Sequence, residues 1–92
     1  MSVITFLSVT RVAIYTTPYC GYCVMLKRLM QSKRVAFEEI DVSQDVQKRR
    51  WLAAQTGQRT VPQLFIDDRS YGGYTEAVAL DRRGELDRLL AG

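Results

Sequence analysis

Apolar and polar residues change their spacing along this chain, and each change marks an element. Val12 to Thr16 is a short apolar run ending on a threonine, the pattern of a strand. From Cys20 or Gly21 through Lys33 the spacing becomes helical, with Tyr22, Met25, Leu26, Leu29 and Met30 on one stripe. Ala36 to Val42 reads as a second strand, parallel to the first because a helix joins them. Ser43 can cap a second helix, Asp45 suits its first turn, and the helix runs to about Thr56, where Gly57 stops it. Val61 to Ile66 and Arg69 to Tyr71 are the third and fourth strands. The pair Asp67-Asp68 between them forms a hairpin turn, so these two run antiparallel. After Gly72-Gly73, a helix from about Thr75 to Asp81 breaks at Gly84 and resumes from Glu85 to Leu90. The order β-α-β-α-β-β-α predicts an α/β fold, a mixed four-stranded sheet flanked by helices.

The chain has 92 residues, the size of one small domain. The domain is expected over residues 11–92. Residues 1–10 form an N-terminal extension open to three readings: a flexible arm, an additional strand, or an upstream start. The extension lacks a basic n-region and a small-residue cleavage site, so it reads poorly as a signal peptide. No apolar run approaches the roughly 20 residues of a membrane span, so no membrane partner is expected. With 13 Lys and Arg against 10 Asp and Glu the net charge is +3. The basic residues are dispersed among acids rather than gathered in a run, which argues against a nucleic-acid partner. Lys27 and Arg28 are read as solvated and Trp51 as core. One or two arginines would suffice to hold a small carboxylate ligand.

The chemistry is concentrated in Cys20-Gly21-Tyr22-Cys23, which contains the only two cysteines. Two cysteines make a poor disulfide framework, and the absence of histidine removes a Cys–His pair and most zinc sites. Nothing addresses the chain outside the cell, so a cytoplasmic location is the expectation. A C-x-x-C between a strand and a helix is the setting of a thioredoxin-like redox site. Free amides and the positive end of the helix favour a thiolate there, and the thiolate is the nucleophile.

Three motifs in register sharpen this. Cys20-Gly21-Tyr22-Cys23 resembles the C-P-Y-C site of glutaredoxins, Thr60-Val61-Pro62-Gln63 their T-V-P segment, and Gly72-Gly73-Tyr74-Thr75-Glu76 their G-G-x-D-D turn. The resemblance covers about Val12 to Leu90 and implies a thioredoxin-like fold with glutathione-dependent thiol–disulfide exchange. It implies Cys20 as nucleophile and Cys23 as resolving cysteine. It places Tyr22 beside a glutathione groove lined by Thr60 and Val61, with Pro62 corresponding to the family's cis-proline. By the same resemblance Gly73, Tyr74 and Thr75 would hold the γ-glutamyl end, and Arg49 and Arg59 would help bind the glycine carboxylate. The sequence departs from the family pattern at Thr17, where a lysine is frequent, at Gly21 in place of proline, and at Thr75 and Glu76 in place of aspartates. Tyr19 puts an aromatic immediately before Cys20.

The expected function is therefore a dithiol glutaredoxin acting on glutathionylated and disulfide-containing proteins, with glutathione as cosubstrate. Two alternatives stand beside it. One is a [2Fe–2S] carrier in which Cys20 and glutathione ligate a cluster across a dimer; otherwise a monomer is expected. The other is an electron donor to ribonucleotide reductase, or a mycoredoxin-like protein using another small thiol.

Overall fold

Strand β1 (Val12–Thr16) sits at the centre of the molecule, and every residue in it except Ala13 is buried. The computed structural model describes residues 10–92, so nearly all of the N-terminal extension lies outside the described residues. Helix α1 (Gly21–Ser32) leads to β2 (Glu38–Asp41), and α2 (Val46–Thr56) leads to β3 (Gln63–Ile66). Strand β4 (Arg69–Ser70), α3 (Tyr74–Arg82) and α4 (Glu85–Ala91) complete the chain. The sheet order is β2-β1-β3-β4. β1 runs parallel to β2 and antiparallel to β3, and β3 runs antiparallel to β4. The expected mixed four-stranded sheet, and the split of the last helix at Gly84, are both present.

Both faces of the sheet are covered, which explains the nearly continuous apolar runs of its two inner strands. On one face Val12, Ile14, Leu64 and Ile66 pack with Leu26 and Met30 of α1, Ala77 of α3 and Leu86 of α4. On the other, Tyr15 and Phe65 pack with Leu52 of α2 and with Val42, the residue after β2. The buried residues of α1 are Cys23, Leu26 and Met30, with Leu29 half-buried against them. Tyr22 and Met25, read from sequence as part of that stripe, face outward at 62% and 43% exposure. The core edge of the helix runs through the second cysteine instead.

Several boundaries move for physical reasons. β2 pairs only over Glu38–Asp41, because it is an edge strand held on one side by Ala13 to Thr16. The cap of α2 is Asp45, whose carboxylate accepts the Lys48 N–H at 2.9 Å, and not Ser43. Ser43 instead donates its N–H to Asp41 Oδ1, closing a turn that also holds the Asp41 carboxyl below its ordinary range. Gly57 adopts φ 73° and its N–H closes α2 on the Ala53 carbonyl, as the stop signal requires. Trp51 is 41% exposed, not core, and leans on Tyr15 and Phe65 at 5.7 and 5.8 Å between ring centroids. Asp67 and Asp68 both take positive φ, 51° and 67°, so the hairpin turn is of the left-handed kind that matches sheet twist. Lys33 bridges Asp81 and Asp87, tying the end of α1 to α3 and α4 and raising its own pKa.

Candidate active site

Cys20 is the N-cap of α1, with extended backbone angles, and its sulfur accepts the Cys23 N–H at 3.2 Å. Its S–H lies 3.8 Å from the Val61 carbonyl oxygen. Cys20 is partly exposed, whereas Cys23, one turn inside the helix, is 2% exposed. Burial first, and the hydrogen bond with Cys20 second, push the Cys23 thiol up to about 12. The two cysteines are therefore unequal: one sulfur is presented at a helix start and the other is held as a protonated thiol. The residue before the pair, Tyr19, is fully exposed and left-handed at φ 61°.

Val61 is the hinge of the surface beside Cys20. Among the described residues, neither its N–H nor its carbonyl pairs with another backbone group, and the Val61–Pro62 peptide bond is cis, as expected. A groove of about 290 Å³ on one side is lined by Tyr22, Thr60, Pro62, Gly73, Tyr74 and Thr75. A wider groove of about 510 Å³ on the other side is lined by Thr17, Arg49, Arg59 and Thr60 among others. Val61 lines both. Every residue singled out from the sequence as lining a ligand groove thus falls on one of two surfaces meeting beside Cys20. Tyr22 and Tyr74 face one another across the smaller groove, 6.0 Å between centroids.

The Gly72-Gly73 turn is built for close approach. Gly72 has φ 83°, and a Cβ there would lie 2.8 Å from Glu76 Cγ. A Cβ on Gly73 would meet the Pro62 carbonyl at 3.1 Å. Glu76, considered from sequence as a stand-in for a family aspartate, accepts the Gly73 N–H at 2.7 Å and so anchors the start of α3.

Sequence reasoning missed two positioning residues. Gln63 is fully buried, and its amide N–H₂ donates to Gln58 Oε1 at 2.9 Å and to the Thr60 carbonyl at 3.0 Å. It pins the loop that carries Arg59 and Thr60 to the start of β3. The available signal was a polar residue inside the apolar run Val61 to Ile66. Glu39 is the second. It accepts from Thr16 Oγ1 at 2.9 Å and from Lys27 Nζ at 3.0 Å, and these bonds hold its carboxyl below the ordinary range. Lys27 is thus paired rather than freely solvated, and it shares with both cysteines a cleft of about 350 Å³.

The family model described as Glutaredoxin matches residues 12–71, nearly two-thirds of the chain. The chain belongs to the glutaredoxin family. Glutaredoxin 3 of Escherichia coli (strain K12) is 44% identical over 79 residues, covering 86% of this chain and 95% of that protein. The solution structure of glutaredoxin from Brucella melitensis superposes with a TM-score of 0.82 at 39% identity, covering 91% of each chain. The crystal structure of a buckwheat glutaredoxin–glutathione complex also gives 0.82, at 28% identity, over 94% of this chain and 81% of that one. The protein is accordingly a thiol–disulfide oxidoreductase of thioredoxin-like fold, with a C-x-x-C site at Cys20 and Cys23.

Proposed function

We propose that this glutaredoxin uses glutathione, with Cys20 as the attacking sulfur. The observation that carries this reading is the pair of grooves meeting at Val61 beside the Cys20 sulfur. Glutathione is a tripeptide with a cysteine sulfur in the middle, a carboxylate at one end and an α-amino acid group at the other. Its backbone can add to the Val61 N–H and carbonyl, neither of which has a backbone partner among the described residues, like a short strand. Its sulfur then faces Cys20. The glycine carboxylate runs toward Arg59 and Arg49, and the γ-glutamyl group toward Gly73, Tyr74 and Thr75. The relative solved with glutathione supports the same choice of ligand.

In the exchange, the Cys20 thiolate attacks the glutathionyl sulfur of a protein–glutathione mixed disulfide. The S–S bond breaks, and the protein thiolate leaves and takes a proton from water. A second glutathione, as thiolate, attacks the sulfur now bound to Cys20, forming glutathione disulfide and returning the Cys20 thiolate. Cys23 can stay a thiol throughout this route. For a protein disulfide, Cys20 attacks first and Cys23 loses its proton to displace the substrate, closing Cys20–Cys23. Two glutathiones then reduce that bond. Nothing favours the alternative of a cluster carrier over exchange.

The test is reduction of a small glutathione mixed disulfide, with glutathione as the sole reductant, for wild type and Cys20→Ser. Turnover by the wild type and none by the variant is expected. Turnover that requires a different small thiol would overturn the choice of glutathione.

A further inference from the structure

The wider groove has more positive charge than a tripeptide can use. Arg49 and Arg50 enter it from α2 and Arg59 from the loop before β3, while the rest of its lining is uncharged. Among the described residues none of these three arginines forms an ion pair, although Arg11, Lys27, Lys33 and Arg83 all do. Guanidinium groups stay charged at any relevant pH, so three of them around one groove focus a positive field on it. Glutathione carries a single net negative charge. In the reading above its glycine carboxylate is matched by Arg59 and Arg49, which leaves Arg50, with Val46 and Ala53 beside it, without an assigned contact.

We propose that the Arg50 side of this groove docks an acidic segment of the protein substrate, flanking the glutathionylated cysteine. The groove is continuous with the reacting centre, because Thr17 and Val61 line both it and the surfaces against Cys20. Acidic side chains entering there meet an unpaired guanidinium, and a basic segment meets repulsion from three. A nucleic-acid strand fits less well, because no aromatic side chain lines the groove to stack a base. The inference rests on the glutathione reading for the position of the substrate cysteine. It adds a substrate class: glutathionylated proteins with Asp or Glu near the modified residue.

Two glutathionylated peptides, identical except for Glu or Lys flanks, are compared at low salt with a small mixed disulfide of glutathione that has no flanks. For the wild type, KM for the Glu peptide is expected to be roughly tenfold below that for the Lys peptide, with the gap closing at high salt. Arg50→Glu should erase the gap and leave the small substrate unaffected. Equal KM values for the two peptides, or a Glu preference that survives Arg50→Glu, overturn the proposal. A second arm does not depend on turnover. A thiol-free Glu peptide is titrated into the nitrogen-15-labelled protein, and amide shifts at Val46 and Arg50 that vanish in Arg50→Glu are expected. If the wild type turns over no glutathione substrate, the glutathione reading fails, and this titration alone decides the docking surface. No shift at those amides, or displacement of the peptide by an oligonucleotide of equal charge, counts against it.

Discussion

The backbone N–H of Cys23 donates to the Cys20 sulfur across 3.2 Å, while the Cys23 thiol itself is buried. Burial first, and a separate side-chain contact with Cys20 second, push the Cys23 thiol up to about 12. One sulfur caps the helix and the other is buried a turn inside it, an unequal division of the C-x-x-C pair.

This division predicts unequal variants. Cys20→Ser should abolish all exchange. Cys23→Ser should retain reduction of a small glutathione mixed disulfide and lose most reduction of protein disulfides, as read in parallel assays. In Cys20→Ser the Cys23 thiol should titrate below about 12, because the contact with the Cys20 sulfur is lost. It should stay above the ordinary thiol range, because burial is the larger cause. Thiolate absorbance against pH reads this directly, and a Cys23 titrating as an exposed thiol would contradict the burial argument.

Arg59 stands on an exposed loop and has no ion-pair partner among the described residues. Thr17 offers no charge where the family often has lysine. Arg59→Ala should raise KM for a glutathione mixed disulfide with little change in kcat. Loss of a charge-assisted bond of about 1.5–3 kcal/mol corresponds to roughly ten- to hundredfold. An unchanged KM would leave Arg59 a surface charge.

Gly21 occupies the first position of α1, and a Cβ there would meet nothing within 4 Å. Proline is suited to this position, since the amide it removes is free of helical bonding, and the preceding Cys20 is already extended. Gly21→Pro should raise unfolding free energy by about 0.4–1 kcal/mol through the unfolded chain, measured by urea denaturation. A loss of stability would mean that the Gly21 amide has a partner in solution.

Glu39 predicts an acid limb. Its folded pKa lies below its unfolded value, first because Lys27 and then because Thr16 bonds the ionised form. Its contribution is thus complete above the unfolded carboxylate value and is lost as pH falls from there through the lower folded one. Melting temperatures across that window should fall less steeply for Glu39→Gln than for the wild type. Parallel curves would remove Glu39 from the account.

How much of this was legible in advance follows from which interactions are local. The order of elements, the hairpin at Asp67-Asp68, the stop at Gly57 and the break at Gly84 depend on residues near one another in the chain, and they read directly from the spacing. Short motifs marked the residues that converge on the Cys20 surface, because close backbone approach demands particular residue types. Contacts between distant segments were not legible. That Tyr22 faces out while Cys23 faces in depends on how α1 is rotated against the sheet. That Gln63 braces residues 58–60, that Glu39 pairs Lys27, and that three arginines share one groove depend on segments brought together only by the sheet order. Spacing reports the face of an element; the partner of that face is set by tertiary packing.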